Sequence, residues 1–428
     1  MRTIHPLLAI LISLFFTTCS PKEEVQEKAL KAFTGGRIID GTGQAPIENG
    51  VLLIEEGRIM EVGSQNEIEI PEHAETIDIS GKTVIPGIIN THGHVGNVKG
   101  LESGHYATQN VLDQLSLYAR YGVTTVVSLG DDRQEAVAIR DTQDTATLTR
   151  ARLYFAGEVV TGDTPEEAIA MVDENAAMPV DFIKIRVDDN LGATPKMSEE
   201  VYQAVMDRAH EQGLPVATHM YYLEDTKALL QAGSDYIAHS VRDQKVDEEL
   251  INLLKEKNVC YCPTLTRELS TFVYEDVPDF FDDPFFLREA DSVVLEQLKD
   301  PERQNRIRES QSAQTYKKAL DTALVNLKIL ADQGVAIAFG TDSGPPARFQ
   351  GYFEHLEMEL MAQAGLTPMQ ILVSATGDAA DCMGLEDLGT LETGKWADFV
   401  VLAENPLDDI THTHRIESVW IAGNRVPD

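Results

Sequence analysis

Cysteine, basic side chains and long apolar runs are all scarce in this chain. Four cysteines in 428 residues are too few to staple the fold, which excludes a disulfide-framework protein. Lys and Arg number 35 against 70 Asp and Glu, a formal charge of −35 at pH 7. A surface this acidic repels phosphate backbones, so no nucleic-acid partner is expected. The main apolar run, residues 7–16, is well short of the ~20 residues a membrane span needs, which excludes a multi-span membrane protein. What remains is ordinary: 43% hydrophobic and 25% charged residues, neither disordered nor collagen-like. The length allows one large domain with a full-sized core and a small one beside it.

The run 7–16 follows Arg2 and meets Thr17, Thr18 and Cys19. That order resembles a bacterial lipoprotein signal, with Phe16 and Thr18 where Leu and a small residue are usual. It predicts a signal segment over 1–18, lipidation at Cys19, and a polar tether over 19–31 that includes Lys22, Glu23 and Glu24. The protein would then be exported and held to a membrane only through the lipid at Cys19, in the periplasm or on the surface of a Gram-negative cell. An ordinary secretory peptide cut nearby is the alternative. Cys260, Cys262 and Cys382 read as buried free thiols, the first two facing one side of a strand.

Residues 32–84 alternate in short strands and Gly-containing turns, as do 384–428. Neither stretch has the apolar area to stand alone, so the two are expected to pair as one discontinuous, antiparallel β-sandwich domain. Between them, over 85–383, eight β-rich runs alternate with amphipathic helical stretches: VIPGIINTH, GVTTVVSLG, ARLYFAG, DFIKIRV, PVATH, DYIAHS, NVCYCPTL and VAIAFGTD. This rhythm predicts an α/β fold, a (β/α)8 TIM barrel, with an open doubly wound sheet as the lesser choice. About fifty residues separate the seventh run from the next helix, and an insertion over 265–314 is expected to act as a lid above the barrel mouth.

The chemistry-bearing residues fall at the ends of these runs. The first ends in His92 and His94, two apart and so on one side of an extended chain. The fourth carries Lys184 between Phe182 and Arg186, pointing inward. A buried lysine is expensive as a cation, and its neutral amine can add CO2 to give a carbamate able to bridge two metal ions. His219 closes the fifth run, His239 the sixth and Asp342 the eighth. Each has a bland explanation alone. Six in order, at the strand ends where barrel enzymes keep their sites, point to a metal centre.

These residues resemble the amidohydrolase superfamily. VIPGIINTHGH is similar to its first-strand metal motif, with Asn90 where Asp is common, and VDFIKI, VATH, AGSDYIAHS and VCYCPTLT resemble its Xaa-Pro dipeptidase-like, imidazolonepropionase-related branch. The resemblance implies two divalent ions held by His92, His94, Lys184 as its carbamate, His219, His239 and Asp342. Zinc suits these donors best, ahead of manganese, iron or cobalt. It implies hydrolysis of the C–N bond of an amide or dipeptide-like small molecule by a metal-bridging hydroxide, with Asp342 as the catalytic proton carrier. Tyr221 and Tyr222 are candidate oxyanion donors, and Arg186 and Arg242 candidate carboxylate ligands. His210, at a helix end, is not expected to bind metal.

Two other readings stand beside this one. The first is a one-metal cyclic amidase or deaminase of imidazolonepropionase type. Many deaminases carry a Glu three residues after a strand-end His, whereas Leu223 and Glu224 stand four and five after His219. The second is a non-catalytic surface binding lipoprotein. The oligomeric state is left open by the sequence.

Overall fold

Both chain ends supply strands to one sheet. In this computed structural model residues 30–427 are described, so Cys19, the signal segment and most of the tether lie outside the described residues. Its last two residues, Leu30 and Lys31, already belong to the first strand, Leu30–Ile38. Along its hydrogen bonds the sheet runs Asn424–Arg425, Ile416–Ile421, Phe399–Leu402, Thr83–Pro86, Leu30–Ile38, Ile47–Glu55 and Arg58–Ser64, with Glu75–Asp78 also on Leu30–Ile38. The two ends meet where Val84 faces Val401 in antiparallel register. The sheet is mixed, not antiparallel throughout, because Leu30–Ile38 runs parallel to both Glu75–Asp78 and Thr83–Pro86. Residues 65–74 carry the chain back across the sheet, so the next strand enters in the same direction. Phe33 packs edge-on against Phe399 and Trp420, with centroids at 5.0 and 4.8 Å, in a cluster with Leu52, Ile59 and Val401.

Apart from a short antiparallel pair, Val98–Lys99 with Glu102–Ser103, the remaining strands run parallel. Ile88–Gly93, Val123–Ser128 and Arg152–Phe155 form one set. Ile183–Val187, Val216–Met220, Tyr236–Ala238 and Cys260–Cys262 form another. The bridge Val160↔Ile185 joins the sets on one side. On the other side the eighth segment, 336–343, closes the ring through Tyr261↔Ile337 and Gly93↔Ser343. This is a TIM-barrel-type α/β fold. The eighth segment is irregular. A Cβ on Gly340 would come within 2.6 Å of Cys262 Sγ and 2.9 Å of the His92 nitrogen. Asp342 itself takes a left-handed φ of 56°, which breaks the strand and redirects its side chain.

The helices are legible in their caps. Ser198 starts Glu199–Glu211 by accepting from the Val201 N–H, and Asp247 starts Glu248–Lys257 by accepting from Leu250. Gly233 ends Leu223–Ala232 at φ 110°. Val201, Val205 and Ala209 then line one face and bury it on the barrel. The insertion begins with Leu265–Leu269 against the barrel mouth. Further along, Tyr274, Phe281 and Phe286 pack with Tyr121, Tyr352 and Phe353 in an aromatic cluster on the flank.

The cysteines differ from expectation. Cys260 forms a disulfide with Cys382, in the helix Gly377–Met383, while Cys262 is a buried free thiol. The partners lie 122 residues apart, and only closure of the barrel brings that helix against the seventh strand. Among the described residues no helix is long and apolar enough to cross a membrane.

Candidate metal centre

Six side chains from five barrel segments, two of them from the first, meet toward the carboxyl end of the barrel. His94 Nε2 lies 2.9 Å from Asp342 Oδ1, and His92 Nε2 lies 3.8 Å from the same oxygen. Lys184 Nζ is 3.4 Å from His92 Nε2. The His239 ring lies between His92 and His219, with centroid distances of 4.6 and 4.2 Å. The ligand atoms of His92, His94 and Asp342 all fall within 4.8 Å of one another, close enough to share one cation.

The protein fixes the outward nitrogens of three of these imidazoles. His94 Nδ1 meets the Gly130 carbonyl at 3.2 Å, His219 Nε2 meets Asp188 Oδ2 at 2.8 Å, and His239 Nδ1 meets Thr264 Oγ1 at 2.7 Å. Such partners set which nitrogen is left for a metal. His92 Nδ1 is buried with no hydrogen-bond partner among the described residues. Burial holds His92 and His239 well below the ordinary imidazole range, helped by Lys184 for the first and by the neighbouring histidines for the second. Burial lowers His219 to about 3, against the opposing pull of Asp188. Burial likewise brings Lys184 down to about 8, although Asp342 favours its cation. Burial works against ionised Asp342, but Arg348, His94 and His92 outweigh it and hold the carboxyl well below its usual range. Neutral imidazoles and an ionised carboxylate are donors a divalent cation takes, and the group His92, His94 and Asp342 fits one.

The four candidate substrate ligands are placed unequally. Tyr221 is buried, its ring under the Arg242 guanidinium at 4.7 Å. Arg242 is turned inward: its Nε lies 2.9 Å from Glu268 Oε1, and its Nη1 donates to the Met220 and Ser240 carbonyls. Tyr222 donates its hydroxyl to Asp189 Oδ1 at 2.9 Å. Arg186 is the exposed member, beside Asn190 and 3.8 Å from Asp188. His210 pairs with Asp235 at 2.9 Å, away from the centre.

Sequence reasoning passed over several neighbours. Arg348 Nη1 donates to Asp342 Oδ2 at 2.5 Å, which leaves Oδ1 for the histidines. Asp188 follows Lys184 by four residues and is buried, while the rest of its loop, from Asp189 on, is half-buried or exposed. Glu268 lies buried between Arg242 and Arg267, and Glu354 and Glu357 are buried behind the first, seventh and eighth strands. Their spacing resembles any exposed helical acid, so nothing in the sequence marks them.

Comparison with known proteins gives the family. Residues 83–426 match the amidohydrolase family, and the chain belongs to that family. It is a hydrolase acting on C–N bonds. A 5-methylthioadenosine/S-adenosylhomocysteine deaminase of Halalkalibacterium halodurans is 24% identical over 426 residues, covering 88% of this chain and 86% of that protein. Among solved structures, a Xaa-Pro dipeptidase with methionine bound in its active site superposes with a TM-score of 0.76 at 22% identity, covering 94% of this chain and 100% of that one. Molinate hydrolase gives a TM-score of 0.71 at 23% identity, covering 94% and 95%. At these identities the two structures speak for the fold.

Proposed function

We propose that this amidohydrolase cleaves the amide or peptide bond of a small, dipeptide-like substrate at a centre of two divalent ions, zinc before manganese, iron or cobalt. His92, His94 and Asp342 would hold one ion, His219 and His239 the other, and a carbamate on Lys184 would lie between them. Bound there, the ions would supply Lewis acidity and a water of lowered pKa. The observation that carries the reading is the position of Lys184, a buried amine 3.4 Å from His92 Nε2 with no carboxylate paired to it among the described ion pairs. At a pKa of about 8 roughly a tenth of it is neutral near pH 7, against well under a thousandth for a free lysine, and the N–C bond to CO2 needs that neutral form.

The remaining residues act on the substrate and its protons. Asp342, its outer oxygen held by Arg348, takes a proton from the attacking water and passes it to the leaving nitrogen. Arg186, exposed beside Asp188, suits the substrate's carboxylate, and Tyr222 suits its carbonyl oxygen once the hydroxyl turns from Asp189. Arg242 and Tyr221 support that wall from behind.

Metal content and turnover test the reading together. Chelated protein should lose hydrolysis of a dipeptide and N-acyl amino acid panel and regain it with zinc or manganese. Lys184→Ala should lose both metal and activity. A Lys184→Ala protein with unchanged metal and turnover removes the carbamate.

The tight group of His92, His94 and Asp342 favours a second reading, a one-metal cyclic amidase or deaminase, in keeping with the names of curated relatives. Tyr222 stands three residues after His219, where many deaminases carry Glu. Close to one ion per chain in active protein would select this reading; close to two would select the first.

We also propose that residues 32–84 and 384–428 act as a β-sandwich domain beside a barrel of 85–383, and that the chain is exported and anchored through Cys19. The Cys260–Cys382 disulfide supports export, since such bonds persist in oxidising compartments.

A further inference from the structure

The helix Tyr352–Ala364 follows the loop after Asp342 and carries two fully buried carboxylates one turn apart, Glu354 and Glu357. Neither touches a candidate metal ligand. Glu354 touches the residues flanking Asp342, and Glu357 touches residues next to the threonine that holds His239.

Glu354 Oε1 accepts three hydrogen bonds: from Asn90 Nδ2 at 2.6 Å, Thr341 Oγ1 at 2.8 Å and Ser343 Oγ at 2.7 Å. Thr341 and Ser343 flank Asp342. Asn90 in turn accepts the His92 N–H on its Oδ1 at 2.9 Å. One oxygen thus ties the eighth strand's aspartate to the first strand's histidine. Asn90, where the family commonly has Asp, supplies the amide donor this contact needs; an ionised Asp beside Glu354 would oppose it. Glu354 Oε2 is buried without a partner among the described residues.

Glu357 uses both oxygens. Its Oε1 accepts the Leu265 N–H at 2.7 Å, and its Oε2 accepts the Thr266 N–H at 2.7 Å and hydroxyl at 2.8 Å. These residues adjoin Thr264, which holds His239 Nδ1. Thr264 sits at a left-handed φ of 46°, a conformation a β-branched residue adopts only when its surroundings hold it there.

We infer that Glu354 and Glu357 are positioning residues for the metal centre: from one helix, they set the relative places of His92, Asp342 and His239. The inference rests on the metal reading above. It also separates two carboxylates that look alike in sequence. At Glu354 one acceptor oxygen does the work, so an amide can replace it. At Glu357 both oxygens face N–H donors, so an amide puts its NH2 against one of them.

The test is zinc affinity of the full chain, measured by competition with a chromophoric chelator, with thermal melting of the same metal-free samples as the control for folding. Glu354→Gln should bind zinc within about twofold of wild type. Glu354→Leu and Glu357→Gln should each weaken binding by about tenfold, the low end of the range for lost partners of metal ligands because these carboxylates act through one further residue, while still melting cooperatively. If Glu354→Leu does not fold, the contrast between Glu354→Gln and Glu357→Gln carries the same test. Wild-type affinity in Glu357→Gln, or equal losses in Glu354→Gln and Glu357→Gln, overturns the inference. A wild-type chain that binds no zinc overturns the metal reading and this inference with it, and is told apart because the wild type itself fails.

Discussion

The site is made of side chains whose ordinary protonation has been shifted by burial. Neutral His92, His219 and His239 belong to the folded state, while an unfolded chain protonates each near its ordinary value. Between pH 6.5 and about 3, the folded value of His219, the unfolded chain therefore binds more protons. Stability of the metal-free protein should fall as pH is lowered through that window. Melts of chelated protein from pH 7 to 4 check this, and the fall should be shallower in His219→Gln. Lys184 acts in another range: its folded value of about 8 lies below 10.5, so its contribution grows as pH rises between them. Asp188 gives a second expectation. Burial opposes its charge, yet the bond from His219 holds it ionised, and that bond orients the ring. Asp188→Asn should lower zinc affinity and kcat/KM by about tenfold with the fold intact, checked by metal titration beside steady-state kinetics.

The short helix Leu265–Leu269 is held by charge more than by its length. Glu268 lies 2.9 Å from Arg242 and 3.0 Å from Arg267, all three buried. Removing the carboxylate strands two cations away from water, which costs about 3–5 kcal/mol. Glu268→Ala should therefore lose about that much in denaturant unfolding, and more than Glu268→Gln. The disulfide acts between elements too. Cys382→Ser opens a crosslink between residues 122 apart and should cost roughly 2–4 kcal/mol. Reduction of the wild type should shift its melting to that of the variant.

At the scale of the whole molecule, the barrel and the sheet from the chain ends are joined by a buried pair. Arg152, in the third barrel strand, donates from Nε to Asp398 Oδ2 at 2.9 Å and lies over the Trp396 ring at 4.5 Å. Asp398 Oδ1 accepts the Ala422 N–H at 2.7 Å. Asp398→Ala leaves the buried Arg152 Nε without its acceptor while Nη1 keeps Asp144 Oδ1 at 3.1 Å, and a loss of about 1–3 kcal/mol is expected in equilibrium unfolding. Zinc affinity of the folded fraction should stay unchanged, since the pair lies outside the metal centre.

Strand ends carrying His or Asp, and a lysine facing inward along its strand, were readable because a side chain's direction along an extended chain, and the place of barrel active sites, follow from local periodicity. That periodicity singles out His92, His94, His219, His239 and Asp342 as candidates, the inward face of its strand singles out Lys184, and small apolar area predicts the pairing of the two chain ends. The inward turn of Arg242, the partner of Cys260, the burial of Asp188 and the work of Glu354 and Glu357 were not readable. Each depends on what a distant segment brings beside it, and an acid buried under a barrel is spelled like one in water. The order of donors along the chain was set by sequence alone; which nitrogen, oxygen or cation each neighbour takes was decided by closure of the ring, because hydrogen bonding and desolvation act across space and not along the chain.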